Sequence, residues 1–400
     1  QAILLKHQTA ATEGKTLLLL DQIQDCPQAV DSLRYFYEVL PHVFVIAAGS
    51  LLEIALHEKH IGFPVGRVEH LFMYPLSFRE FLVAADAAPA LAAYDTVPVQ
   101  AYACPALFEH FHRYTLIGGM PEVLAKYVAT HEIAALKPVY DSLATSYLDD
   151  AAKYARNASM AAILRHCIES APLVAGQRIK FAGFGSSNYG SREVGEALRT
   201  LQRAMLIHLL YPCTAAEIPI VPDLKKSPRL QFLDTGLLNH FAGLQGEFFK
   251  HSDLQAIYRG MLAEHIVGQE FVCQESGTRK NPCFWVRDKT QSQAQVDFVV
   301  QHGGHVIPVE VKSGSEGRLR SLHEFMDRAP HGYAVRLYSG PLDLHSAKTP
   351  AGKSFHLLNM PYFLAALIHE YTEWMIQQVE RGNGVGDRAS IGVGGRVGLG

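Results

Sequence analysis

The sequence predicts an α/β protein of several domains, and three stretches carry that expectation. Thr16–Gln24 (TLLLLDQIQ) is a leucine run too short to cross a bilayer, and it stops abruptly at a carboxylate and an amide. From Tyr102 to Tyr154 the apolar side chains recur at helical spacing. His305–Val311 reads as a strand that runs I-P-V-E-V into Lys312, so Glu310 and Lys312 project to one face and Val309 and Val311 to the other. The 400 residues leave room for two to four domains, and 48% hydrophobic with 19% charged residues is ordinary for a globular chain. A formal charge of −3 gives no general basic field, so any nucleic-acid contact has to rest on local patches.

The leucine run reads as a strand buried on both faces, with Asp21 and Gln22 at its carboxyl end. Ligands collect at that edge of open α/β sheets, and a hydrophobic strand ending in an acid is how P-loop ATPases hold the magnesium of bound nucleotide. A helical segment, Ala29–Val39, leads to a second strand, Val43–Ala48, which ends in Gly49-Ser50. The Ser50 hydroxyl is placed to watch a γ-phosphate through a water. The succession D-Q-I-Q, A-A-G-S-L-L-E, F-P-V-G-R-V-E and Y-P-L-S-F-R-E-F-L resembles the bacterial and archaeal AAA-type ATPases that carry an uncharacterised conserved C-terminal domain, over a span reaching about residue 345.

That resemblance implies ATP and Mg²⁺ as cofactors, with Asp21 on the metal and Gln22 and Ser50 beside the nucleotide. It makes Arg67 a candidate arginine finger, acting in cis or from a neighbour in a homo-oligomer. Residues 1–88 would be the parallel-sheet remnant of the ATPase domain. Two departures stand out. The family's phosphate-cradling loop should precede the Asp-bearing strand, yet Gly14-Lys15-Thr16 lacks a Gly-rich lead-in and runs into the strand instead of opening a helix. The chain therefore reads as a fragment without its phosphate loop, expected to bind no ATP. Gln22 also stands where relatives usually have Glu, and an amide takes no proton from an attacking water.

Residues 84–100 are rich in Ala and Pro and read as a linker or loose helix. Residues 89–160 form the helical lid that the resemblance implies, with Gly118-Gly119 ending one helix and Pro121 opening the next. In residues 161–250, Val194, Leu198, Leu201 and Met205 mark a buried helical stripe behind a Ser191 cap. Arg192, Arg199 and Arg203 fall together on another face. Strands at Leu206–Tyr211 and Leu230–Leu233 follow, joined by a loop bearing Lys225, Lys226 and Arg229. A basic helix and a basic hairpin resemble a winged helix, which makes DNA a candidate partner.

Residues 255–345 hold the sharpest constellation. Met261–Phe271 reads as a helix carrying Glu264, and Val296–Val300 as a strand carrying Asp297. With the Glu310-x-Lys312 strand they resemble the restriction-endonuclease-like (PD-(D/E)XK) nucleases. That resemblance implies Mg²⁺ on Asp297 and Glu310, Lys312 on the attacking water and Glu264 in support. Gln295 stands where relatives often place a second acid. A sheet whose polar face merely carries a Glu–Lys pair, binding DNA or protein without cutting, is the competing reading.

Six scattered cysteines without a C-x-x-C pair argue against a zinc site or disulfide framework and for a reducing cytoplasm. His57 and His60 stand three apart with no third ligand nearby. Residues 346–380 are expected to hold a carboxyl-terminal amphipathic helix from Pro361 to Glu380. The Gly-rich tail, 381–400, is expected to be disordered.

Overall fold

The computed structural model describes residues 16–49, 66–150, 153, 155–243, 261–274, 281–288, 294–312 and 319–382. Ser50, His57, His60, the Gly14-Lys15 pair and the tail beyond 382 lie outside the described residues.

Strands β1 (Thr16–Leu20) and β2 (Val43–Ala47) pair in parallel, Thr16 beside Val43 and Leu20 beside Ala47. Helix α1 (Pro27–Val39) makes the crossover that a parallel pair requires, with Pro27 in its first turn. Ile23, Val30 and Leu33 form the small core beneath it. The leucine run is not buried on both faces, because among the described residues the helix covers one side alone. Leu17, Leu19, Phe44 and Ile46 are all more than half exposed on the other.

The Ala/Pro stretch is a helix, not a linker. Helix α2 (Phe78–Ala84) opens on a capping box, Glu80 accepting the Ser77 N–H at 2.8 Å. Helix α3 (Ala88–Tyr94) follows with Pro89 in its first turn, and its fully buried Tyr94 ring meets Phe78 edge-on. Then come α4 (Cys104–Ile117), α5 (Pro121–Thr130) and α6 (Lys137–Asp150). Gly118, at φ 77°, ends α4 as the sequence predicts.

Helix α7 (Ala158–Ser170) packs on α8 (Ser191–Arg203). The cap of α8 is Gly190, one residue before the predicted Ser191, its N–H donated to the Glu193 carboxylate at 3.2 Å. Val194, Leu198 and Leu201 are buried along one side, while Met205 falls beyond the helix. Strands β3 (Ile207–Leu210) and β5 (Arg229–Phe232) pair antiparallel, β4 (Pro212–Cys213) leaves between them, and α9 (Thr235–Phe241) follows.

The remaining strands join β4 in one mixed sheet. Its elements are α10 (Met261–Cys273), β6 (Cys283–Val286), β7 (Gln295–His302), β8 (His305–Val311), α11 (Arg320–Met326), β9 (Tyr333–Tyr338), β10 (Asp343–Lys348), β11 (Ser354–Pro361) and α12 (Ile368–Glu380). The order is β10-β11-β9-β8-β7-β6-β4, with β6, β7 and β8 successively antiparallel and β8, β9 and β11 parallel. Helix α11 makes the β8–β9 crossover. A single hydrophobic cluster runs from Phe78 through α8 and α10 to Met375.

Candidate functional site

Three carboxylates meet where β7 and β8 face the start of α10. Phe298 pairs with Val309, so one step further along the antiparallel ladder Asp297 stands opposite Glu310 on the same face. Directly opposed like charges destabilise a sheet, and here each is met by a partner. Asp297 Oδ2 accepts the Val311 N–H at 2.8 Å, and Lys312 Nζ donates to Glu310 Oε1 at 2.6 Å. Glu264, in the first turn of α10, adds the third acid. The helix Glu, the strand Asp and the Glu-x-Lys pair are therefore gathered in one place.

The residue that sequence reasoning misplaces is Arg229. The sequence puts it in a basic loop, but it opens strand β5 and is 2% exposed. Its Nη1 lies 3.5 Å from Glu264 Oε2 and donates to the Asp297 carbonyl at 3.1 Å, and its Nη2 lies 3.5 Å from Asp297 Oδ1. The guanidinium carbon stands 5.0 Å from the Phe284 ring centre and 5.6 Å from that of Phe298. A signal existed in the sequence: Arg229 and Gln231 alternate with Leu230 and Phe232, a polar face on an otherwise apolar strand. Gln231 uses that face to donate to the His265 carbonyl at 2.9 Å, while His265 Nε2 accepts the Phe232 N–H at 3.0 Å. These bonds tie β5 to α10.

Burial, then the neighbouring Asp297 charge, pushes the Glu264 and Glu310 carboxyls upward, while Arg229 and Lys312 pull the other way. For Lys312 burial works to lower the value, but Glu310, Asp297 and Glu264 outweigh it and hold the ammonium charged. Glu310 Oε2 is buried with no hydrogen-bond partner, as are Arg229 Nε and Nη2.

Hard oxygen donors suit Mg²⁺ in kind. Their arrangement does not suit it, because Asp297 is engaged by Val311 and Arg229, Glu264 by Arg229, and Glu310 by Lys312. Among the described residues no three Asp, Glu, His or Cys side chains converge closely enough to hold a metal ion. The expected Mg²⁺ on Asp297 and Glu310 is thus at odds with the geometry.

At the other end of the chain, Asp21 is an exposed carboxylate at the carboxyl edge of β1, one oxygen accepting the Gln22 N–H at 2.9 Å. The parallel register and the Ala48 N–H donated to the Leu20 carbonyl bring both strand ends to that edge, with Gly49 following. Gln22 adopts a left-handed conformation and accepts from the Gln24 amide. Arg67 is not brought to Asp21. Its Nε donates to Glu38 at 2.8 Å, and Glu38 is in the last turn of α1, which runs back to the amino edge of the sheet.

Arg192, Arg199, Arg203 and Lys225 are exposed. Lys226 is half-buried between Asp223 and Asp288, 3.6 Å from each.

Residues 1–82 match the sequence model of an AAA domain. Residues 108–247 and 259–361 match two domains of unknown function, DUF8612 and DUF4143 respectively. No curated protein matches the chain. A Walker-type ATPase of Pyrococcus abyssi is similar over 56% of this chain and 63% of its own, at 12% identity and a TM-score of 0.35. The chain thus spans less than two thirds of that neighbour, and the likeness is too slight to define the fold. The amino-terminal match likens about a fifth of the chain to AAA domains. Among the described residues no helix is long and apolar enough to cross a membrane.

Proposed function

We propose that this chain is a nucleotide-dependent switch of AAA type whose nuclease-like C-terminal domain holds a nucleic acid without cutting it. The observation that carries the reading is the occupancy of the carboxylate cluster by the protein's own cations. A carboxylate that is to hold a catalytic metal needs free lone pairs, and here the Val311 N–H takes one from Asp297 and Lys312 one from Glu310, while Arg229 offsets the charge of Glu264 and Asp297 from 3.5 Å. Arg192, Arg199 and Arg203 on α8 and Lys225 on the loop before β5 are exposed, which supports local contacts to phosphates in a chain of net negative charge. Gln22 supports a slow clock, since a nucleotide bound beside an amide persists.

Mg²⁺-dependent phosphodiester cleavage is the second reading, and the unpartnered Glu310 Oε2 beside Lys312 favours it. The test is fluorescence anisotropy with labelled single- and double-stranded oligonucleotides, followed by recovery of the oligonucleotide. Salt-sensitive binding with intact recovered strands is expected. No binding at low salt, or no loss of binding when Arg192, Arg199 and Arg203 are changed to Glu, removes the nucleic-acid reading.

A further inference from the structure

We infer that Glu270, Tyr114 and the Leu76 carbonyl form a proton-operated latch: a neutral Glu270 donates to the Tyr114 hydroxyl, whose own proton then holds Leu76, and loss of the Glu270 proton releases residues 75–78. The inference is independent of the nucleic-acid reading above.

Residues 75–78 lie near the end of the span that matches an AAA domain and carry the chain into α2. Helix α4, the turn after it and α10 hold them there. Cys273 Sγ donates to the Pro75 carbonyl at 3.2 Å, the Leu76 N–H to the Gly119 carbonyl at 2.7 Å, and the Phe78 N–H to Glu270 at 3.1 Å. The Leu76 carbonyl lies 2.9 Å from Tyr114 Oη, which in turn lies 2.7 Å from Glu270 Oε1.

Counting protons decides how these contacts are made. A tyrosine hydroxyl has one proton to donate and two lone pairs to offer. Gln269 takes one lone pair: its Oε1 accepts the Thr235 N–H at 2.9 Å, which turns its Nε2 to donate to Tyr114 at 3.1 Å. A carbonyl only accepts, so the Tyr114 proton goes to Leu76. Glu270 then supplies the proton of the 2.7 Å contact, and the Phe78 N–H, 3.3 Å from Oε2, meets its other oxygen. Once ionised, Glu270 competes with Leu76 for the single Tyr114 proton, and the charged acceptor wins.

The titratable groups around Glu270 are Tyr114 of α4, Tyr94 of α3, Glu80 of α2, Cys273 of α10 itself and Asp234, which Gln269 Nε2 approaches at 3.5 Å. None is a cation. Burial drives Tyr94, Tyr114 and Cys273 upward and keeps them neutral. It also raises Glu270 to about 7, so the latch is closed below that value and opens above it.

Amide hydrogen exchange of the whole chain, corrected for the intrinsic pH dependence of exchange, tests the latch. Protection of residues 75–82 in wild type is expected to fall about tenfold or more between about pH 6 and about pH 8, while that of α8 falls less. In Glu270→Gln, whose amide N–H donates to Tyr114 at any pH, the extra fall at 75–82 is expected to vanish. A fall of the same size in both segments of wild type overturns the proposal, because it reports global stability alone. An unchanged wild-type profile overturns it too, as does an extra fall that persists in Glu270→Gln. If Glu270→Gln does not fold, the wild-type comparison of 75–82 with α8 decides.

Discussion

Arg229 Nη2 stands 3.5 Å from Asp297 Oδ1, a buried cation from the β3–β5 hairpin seated on an acid of the carboxyl-terminal sheet. One residue thereby joins two parts of the chain that the sequence presents as separate modules. Removing one partner of such a pair leaves the other charge desolvated. Arg229→Met is therefore expected to destabilise the fold by about 3 kcal/mol or more. Lys312→Met is expected to cost less, because the ammonium is partly exposed and Glu310 is already disposed to take a proton. Urea unfolding of the two variants gives the ranking, and equal costs would show that Arg229 has no special structural weight.

Glu270 and Asp234 make stability depend on pH. Both are fully buried; Glu270 accepts from Tyr114 Oη at 2.7 Å and the Phe78 N–H at 3.1 Å, and Asp234 accepts the Gly119 N–H at 2.6 Å. Burial raises Glu270 to about 7 and Asp234 to about 6, against the opposing pull of those donors. A raised value means the folded state keeps a proton that the unfolded chain releases. The contribution is complete below the ordinary carboxylate range and is lost as pH climbs through about 6 and about 7. Glu270→Gln should flatten the decline measured by denaturant titration between about pH 5 and about pH 8. An unchanged slope in that variant would place the proton elsewhere.

Gly119 and Gly236 are needed for close backbone approach. A Cβ on Gly119 would overlap the Leu76 carbonyl oxygen, and one on Gly236 the Ile117 carbonyl oxygen. Neither obstacle is a flexible side chain. Each Gly→Ala change is expected to cost about 2 kcal/mol, read as a lower urea midpoint, and a neutral result would mean that the α4–α5 turn, for Gly119, or α9, for Gly236, relaxes freely.

The α8 arginines should report on backbone phosphates. If each of Arg192, Arg199 and Arg203 meets one phosphate, converting all three to Glu lowers affinity and reduces the log–log salt slope by about 0.7 to 0.9 for every phosphate no longer neutralised. Lower affinity with the slope unchanged would instead indicate misfolding or an indirect effect.

What was legible in the sequence was local. The strand His305–Val311 has the predicted bounds, Val194, Leu198 and Leu201 bury along α8 as their spacing requires, and Glu264, Asp297, Glu310 and Lys312 stand together. What was not legible depends on distant partners. A guanidinium beside two lysines reads as surface charge until the fold supplies Glu264 and Asp297, which lie far downstream. The leucine run looks two-sided because composition counts apolar residues without saying which face a neighbour covers. Arg67 follows the same logic: adjacency to a family motif says nothing of its ion pair with Glu38 at the opposite edge.

The most direct measurement is nicking of supercoiled plasmid by the purified chain in millimolar Mg²⁺ or Mn²⁺, with Asp297→Ala and Lys312→Ala beside it. The account predicts that wild type nicks no faster than either variant, because its carboxylates are already occupied. Nicking by wild type that both substitutions abolish would contradict it and make the cluster a working metal-dependent nuclease centre.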